Sequence, residues 1–229
     1  MAGSFEISFF SAVLLAWKKV PAMTMAAWFS LATICILGAM SPGPSLAVVL
    51  KNTLAGGRAE GVKTALAHGF GVGLYAFATV AGLAVLVLGS PLAFTVIQWL
   101  GALFLAYLGI KAFFGSTGLS DAAQIDADST YTGNGLRTGF LTAFLNPKLA
   151  IFFAALFSQF VSSQAQFAEK MIMALTAGFI DAGWYLIVVL ALSHSRVLDA
   201  LRSRAALLDK VFGLLLVLLA GRIVLFGSA

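Results

Sequence analysis

The sequence is poor in the side chains on which metal sites, disulfides and redox chemistry depend. It holds one cysteine, two histidines and only 10% charged residues in a chain of 229. A single cysteine, Cys35, excludes an internal disulfide and paired-thiol redox chemistry, and its expected role is to fill space inside a helix. Two histidines without a spaced set of further ligands argue against a metal site. We therefore expect neither a metal nor another cofactor.

Motifs for hydrolysis and nucleotide binding are also missing. The chain contains no Gly-x-Ser-x-Gly turn and no phosphate-binding loop. The run Gly69-Phe70-Gly71-Val72-Gly73 resembles half of a dinucleotide fingerprint, but no β-strand is predicted before it. The chain is therefore predicted not to be an enzyme. Any transport that it performs is expected to use an ion gradient rather than bound ATP.

Apolar residues dominate what remains. They make up 61% of the chain, whereas soluble domains contain roughly 45–50%. They form blocks of about 20 residues, which is the length of a helix that crosses a bilayer, and the blocks lack the alternation of barrel strands. The sequence thus predicts an all-α integral membrane protein with six transmembrane helices. The predicted spans are Ala26–Leu50, Val62–Leu88, Leu92–Phe114, Thr138–Val161, Met171–Leu192 and Leu207–Phe226.

A polar linker divides the six spans into three and three. The predicted organisation is an N-terminal extension (1–24), a first three-helix repeat (25–114), a linker (115–136) and a second three-helix repeat (137–229). Because three spans precede the linker, the second half begins on the opposite side of the membrane. We therefore predict two inverted repeats, each of which opens with a proline-broken helix.

Basic residues predict the orientation. The connectors after spans one, three and five carry nine lysine and arginine residues near the span ends, against four on the other side. Such residues concentrate on the cytoplasmic side of membrane proteins. We expect a bacterial inner-membrane protein with a cytoplasmic linker and with both termini on the periplasmic side. The lipid bilayer is then the expected partner of the chain, and nucleic acid is not.

Two proline-containing breaks supply the candidate substrate site. Prolines inside a membrane helix free backbone groups, which are tolerated where protein or a watery cavity satisfies them. A half-helix that starts near Pro44 would direct its positive end at the break, where a carboxylate could bind. A packing kink without a ligand is the alternative. The candidate substrate-binding residues are Pro42, Gly43, Pro44, Ser45, Asn146, Pro147, Lys148 and Asp181.

Charged residues inside the spans are the second signal. Lys148 is about ten residues past Arg137, or roughly 15 Å into the fourth span if helical. Apart from Asp209 at the start of the sixth span, Asp181 is the only acidic residue inside a predicted span. It could pair statically with Lys148, bind a substrate ammonium or take up a proton. Asp181 and His68 are the candidates for proton coupling, although a histidine satisfied by its neighbours or facing water is the structural alternative for His68.

Small residues recur four apart in the second and fifth spans. Such ridges allow membrane helices to approach closely. We predict that Gly61, Gly69, Gly73 and Gly178 serve helix packing.

Three motifs in order resemble the LysE/RhtB amino-acid exporter family. They are Ser41-Pro42-Gly43-Pro44 with Asn52-Thr53-Leu54-Ala55-Gly56-Gly57-Arg58-Ala59-Glu60-Gly61, then Leu100–Gly109, then Gly135-Leu136-Arg137-Thr138-Gly139-Phe140 with Leu145-Asn146-Pro147-Lys148. The resemblance covers about residues 25–227. It implies efflux of amino acids or derivatives, such as lysine, homoserine, threonine or leucine, driven by the proton gradient. By position, the family-type residues are Pro42, Gly43, Pro44, Asn146, Pro147, Lys148 and Asp181; Ser45 stands where many relatives carry Asp or Asn.

The predicted function is therefore secondary export of amino acids or similar small zwitterions, with a small-molecule amino acid as the substrate. One alternative is an exporter of metal or other ions of the wider superfamily. Another is a membrane-embedded assembly factor or enzyme. A homo-oligomer is compatible with each of these.

Overall fold

The structure is a computed structural model that describes residues 23–41, 43–114, 133–161, 165–191, 207 and 210–221. Within these residues the regular elements are helices and no strand occurs, as the uninterrupted apolar blocks predict. Most of the predicted extension and linker lies outside the described residues. The helices are α1 (Met25–Met40), α2 (Pro44–Gly89), α3 (Pro91–Phe114), α4 (Gly135–Phe144), α5 (Pro147–Phe157), α6 (Phe167–Ala191) and α7 (Lys210–Gly221).

The first predicted span, Ala26–Leu50, is interrupted near its middle. α1 ends at Met40, and α2 begins at Pro44. Proline suits the first helical position because its φ angle is already helical and no intrahelical bond needs its missing amide hydrogen. Gly43, the residue before it, is extended, with φ −177° and ψ −170°. The chain therefore leaves the helical path where the proline-rich run predicts a break.

α2 is a hairpin of two helical segments rather than one straight helix. Gly57 has φ 79° and ψ 174°, a backbone conformation that favours glycine. Asn52 Nδ2 lies 2.9 Å from Thr64 Oγ1, although twelve residues of straight helix would separate them by about 18 Å. Residues 44–56 and 58–89 therefore lie side by side. The sequence predicted the first span to end at Leu50, whereas the helix continues to the glycine at which the chain can turn.

The fourth predicted span, Thr138–Val161, consists of two helices. α4 and α5 are inclined by 53° to one another. Asn146 precedes α5, and its side chain accepts a hydrogen bond from the Lys148 amide at 3.0 Å. Pro147 occupies the first helical position, as Pro44 does in α2. Each half of the chain thus contains a helix that restarts at a proline.

Within the part of the chain that the structure describes, three helices are long and apolar enough to cross a membrane, namely α2, α3 and α6. The number rises to four if the bent pair α4 and α5 forms one span. α1 and α7 are apolar but shorter. Large apolar side chains such as Phe29, Phe70 and Phe179 are more than half exposed, as is suitable for contact with lipid.

Glycines set the closest approach between α2 and α6. A Cβ atom on Gly69 would lie 2.5 Å from Ala182 Cβ, and one on Gly178 would lie 2.9 Å from the Gly69 carbonyl oxygen. Gly73 has ordinary van der Waals spacing to Gly178, and Gly61 contacts Thr53 inside the hairpin. Replacement of Gly69 or Gly178 would therefore force these helices apart.

α4 approaches the other side of the hairpin equally closely. A Cβ atom on Gly135 would lie 2.6 Å from the Glu60 carbonyl oxygen, and one on Gly139 would overlap the Thr64 carbonyl oxygen. α2 is therefore packed between α6 and α4. α1 packs on α6, and α3 packs on α5 and, through Gly109 and Gly213, on α7.

Candidate functional site

A cavity of about 50 Å³ lies where the two helix breaks meet. This volume is enough for a few water molecules. Its wall comes from both halves of the chain, so residues more than 100 positions apart in sequence share it. The lining residues are Cys35, Gly38, Ala39, Ser41, Gly43, Pro44, Ser45, Val72, Asn146, Lys148, Leu149, Phe152, Phe153, Ala177, Asp181, Tyr185 and Phe212.

The N-terminus of α2 opens into this cavity. Gly43 precedes the helix and provides no side chain to cap it. Pro44 lacks an amide hydrogen, so the first amides that α2 offers are those of Ser45 and Leu46. Ser45 is buried and lines the cavity. Uncapped amides and the positive end of the helix make this side of the cavity suitable for an anionic group.

The N-terminus of α5 faces the same cavity from the second half. Asn146 caps it through the Lys148 amide, and both residues line the cavity. The Lys148 ammonium nitrogen lies 3.8 Å from the point that a Cβ atom of Gly43 would occupy. The cation of the second broken helix therefore sits beside the break of the first.

Asp181 brings the negative charge. It lies on α6, is 7% exposed and lines the cavity. Its Oδ2 atom is 2.6 Å from Nδ1 of His68, which is 1% exposed on α2. Either the imidazole N–H donates to the carboxylate, or a protonated carboxyl donates to the imidazole, so one proton is held between the two groups. His68 does not line the cavity and stands behind Asp181.

His68 is thus a hydrogen-bond partner of Asp181. The sequence raised Lys148 as a static partner, because both residues are charged and lie in the second half. Lys148 and Asp181 do share the cavity. The partnership with His68 depends on the packing of α2 against α6 through Gly69 and Gly178, and the spacing of residues within one helix cannot predict it.

Tyr185 completes the polar side of the cavity. It is 3% exposed, forms an edge-to-face contact with the His68 ring at 5.1 Å between centroids, and is hydrogen-bonded to Ser45. Trp184 and Tyr185 are the first aromatic residues after Asp181 along α6. Trp184 is not among the lining residues. Tyr185, one helical turn after Asp181, was detectable from its i,i+4 spacing.

Not every predicted site residue reaches the cavity. Pro147 is exposed and does not line it. Pro42 lies outside the described residues. Among the described residues, no group of three or more His, Cys, Asp or Glu side chains could hold a metal ion.

A polar cluster that sequence reasoning missed joins the hairpin to α4. Asn52 is 4% exposed, and its Nδ2 atom donates to Thr64 Oγ1 at 2.9 Å and to Thr138 Oγ1 at 2.6 Å. We refer to Asn52, Thr64 and Thr138 as the clasp. Two of its members lie in the motifs quoted above, and a buried asparagine near the end of an apolar span was the available signal.

Glu60 reinforces the clasp beside the turn, outside the predicted spans. Its Oε1 atom is 2.7 Å from Lys63 Nζ, and its Oε2 atom accepts from the Gly135 amide at 2.8 Å. These two hydrogen bonds, from Lys63 first, lower the pKa of Glu60. Because the pKa of Glu60 is lower in the folded than in the unfolded protein, the ionised carboxylate stabilises the fold above the unfolded-state pKa, and so at neutral pH. This stabilisation is lost as the pH falls through the folded-state pKa.

Comparisons with known proteins identify a family and several relatives of the chain. The profile of the LysE type translocator family matches residues 36–227. The leucine efflux protein of Klebsiella pneumoniae subsp. pneumoniae is 29% identical over 185 residues, which cover 80% of this chain and 87% of that protein. The homoserine/homoserine lactone efflux protein of Salmonella typhimurium is 29% identical over 162 residues, covering 69% and 77%. The uncharacterized membrane protein YrhP of Bacillus subtilis is 27% identical over 184 residues, covering 77% and 88%.

No solved structure matches the chain. The family match extends over both helix breaks and over all three motifs that carry the resemblance. It confirms that resemblance and makes the protein a membrane transporter rather than an enzyme. The chain belongs to the LysE type translocator family.

Proposed function

We propose that the chain exports amino acids or similar small zwitterions and that the cavity at the two helix breaks is its substrate site. The observation that carries this proposal is the pairing of opposite charges in one small space. Lys148 and the N-termini of α2 and α5 provide the positive side, and Asp181 provides the negative side. An α-amino acid carries a carboxylate and an ammonium on one carbon, which suits such a pairing.

The relatives support the direction and the substrate class. Two of them are named as efflux proteins, for leucine and for homoserine or its lactone. These names describe those proteins. Applied to this chain, they favour export over import and an amino acid over an inorganic ion.

The proposed architecture is six spans in two inverted three-helix repeats, which cover residues 25–114 and 137–229. Segments 44–56 and 58–89 of α2 would complete the first span and form the second, and α4 with α5 would form the fourth. The occurrence of a helix restart at Pro44 in one half and at Pro147 in the other supports this arrangement. α1, α3, α6 and α7 would supply the remaining parts.

The orientation is a cytoplasmic linker with both termini outside. The Gly135 amide donates to Glu60 at 2.8 Å, so the end of the linker lies beside the turn that follows the first span. This proximity supports the placement of these two connectors, both rich in lysine and arginine, on the same side of the membrane. The clasp would then close the cytoplasmic side of the cavity, and alternating access would require it to open.

Proton coupling would act through Asp181 and His68. The pair is buried and holds a proton, and one of its members lines the cavity. A substrate ammonium that binds to Asp181 would compete with protonation of the same carboxylate. Such competition allows protons to move in one direction while amino acid moves in the other.

Efflux from proteoliposomes loaded with radiolabelled leucine, under an imposed pH gradient, tests the proposal. Lys148→Met should reduce the initial rate about tenfold or more while the protein still inserts and elutes as folded, because the substrate carboxylate has lost its cation. Lys111→Met, at an exposed lysine on α3, is the matched control and should export normally.

The double variant Lys148→Met with Asp181→Leu separates binding from structure. If these residues serve substrate or proton, the double variant folds yet exports nothing. Export at the wild-type rate per folded protein by Lys148→Met or by the double variant would contradict the proposed site.

A further inference from the structure

We infer that the exported amino acid has an uncharged, apolar side chain and that Gly38, Phe152 and Phe212 form the wall that receives it. This inference rests on the proposed function. It concerns the part of the cavity that the zwitterion's own charges do not occupy.

The α-carboxylate and α-ammonium groups of an amino acid are enough to match the charged groups that line the cavity. Among the described lining residues, Lys148 has the one basic side chain and Asp181 the one carboxyl group. The carboxylate of the substrate would face Lys148, and its ammonium would face Asp181. A lysine, arginine or glutamate side chain would need a third charged group, and burial of a charge without a partner is strongly unfavourable.

The remaining wall is apolar and comes from three helices. Gly38 lies on α1, Phe152 on α5 and Phe212 on α7. Phe152 and Phe212 are 6% and 4% exposed, and their ring centroids are 6.3 Å apart. Val72 and Ala177 extend the same surface from α2 and α6. Aromatic and aliphatic surfaces of this kind bind side chains by burial of apolar area.

Gly38 sets the space in front of the rings. A Cβ atom at this position would lie 3.2 Å from Phe152 Cζ and 3.7 Å from Phe212 Cε2. A methyl group there would press on Phe152 and occupy room that a substrate side chain needs. The volume of about 50 Å³ also means that the cavity must widen when a side chain such as that of leucine binds.

Counterflow in proteoliposomes tests this assignment. Vesicles loaded with unlabelled leucine take up external labelled leucine, and competing amino acids are added outside at equal concentration. Leucine and methionine should compete at least about tenfold more effectively than lysine or glutamate. Equal competition by lysine or glutamate would overturn the inference while leaving amino-acid export intact. Absence of counterflow with every amino acid would instead contradict the proposed function.

Variants of the wall residues test whether this wall determines which amino acids bind. Phe152→Ala should raise competition by phenylalanine relative to leucine by about tenfold, because it enlarges the side-chain space. Gly38→Ala should weaken competition by leucine more than competition by alanine. Phe179→Ala, on the exposed face of α6, is the control and should leave the order unchanged. If Phe152→Ala does not fold, Phe152→Leu takes its place. An unchanged order of competition among the amino acids in a folded wall variant would contradict the assignment.

Discussion

Gly43 and Lys148, which are 105 positions apart, meet at the two helix breaks, where the lysine nitrogen lies 3.8 Å from the place of an added Cβ. The contact joins the first broken helix to the second. Because 3.8 Å is ordinary van der Waals spacing, Gly43→Ala should fold, while its methyl group occupies space beside the ammonium. We expect export to fall about tenfold at unchanged thermal stability of the purified protein.

Gly139→Ala is the contrasting change. Its methyl group would overlap the Thr64 carbonyl oxygen, so the cost falls on packing and is expected to be about 1–3 kcal/mol. We predict a lower melting temperature and less folded protein, with a normal export rate per folded molecule. Equal melting temperatures of the Gly43→Ala and Gly139→Ala proteins would contradict the close approach of α4 to α2.

The pair of His68 and Asp181 predicts a shift in the pH profile of export. His68→Gln removes the imidazole with which the Asp181 carboxyl shares a proton, and glutamine cannot take up a proton in its place. The pH of half-maximal efflux should therefore change, measured between pH 5 and 9 in proteoliposomes. A purely structural role would lower the amount of folded protein and leave the profile in place.

The clasp predicts a reversible lock. The Oγ1 atoms of Thr64 and Thr138 each lie within 3 Å of Asn52 Nδ2. Cysteines at these two positions should therefore form a disulfide. In a Cys35→Ala background, oxidation of Thr64→Cys with Thr138→Cys should stop export, and a reductant should restore it. The single-cysteine variants are the controls. Full export by the cross-linked protein would show that the clasp does not open during transport.

Topology is tested with one cysteine in the linker. In the Cys35→Ala background, Ser120→Cys should resist a membrane-impermeant maleimide in intact cells and react after the cells are permeabilised. The proposed cytoplasmic position rests on the basic residues in the connectors after the first, third and fifth predicted spans. Efficient labelling of intact cells would reverse the orientation.

Local sequence signals predicted the breaks but not the partners. Proline acts on its own turn, so Pro44 and Pro147 mark the helix restarts wherever the chain folds. The pairing of His68 with Asp181 and the contacts of Asn52 depend on which helices become neighbours, and that depends on the whole packing arrangement. The connector predicted between Leu50 and Val62 contains the turn at Gly57, but the polar segment from Leu50 to the glycine is itself helical.

The glycine face of α4, which packs on α2, has a consequence for hydration. Gly139 brings main chain against main chain at Thr64, and Gly135 lies against the Glu60 carbonyl and the side chains of Glu60 and Thr64. Separation of the halves along this face would expose a strip of peptide groups and the clasp side chains at once, and water must fill the gap to satisfy them. The opening step then takes up water, so osmolytes too large to enter the gap should slow export, and the slowing should grow with their concentration.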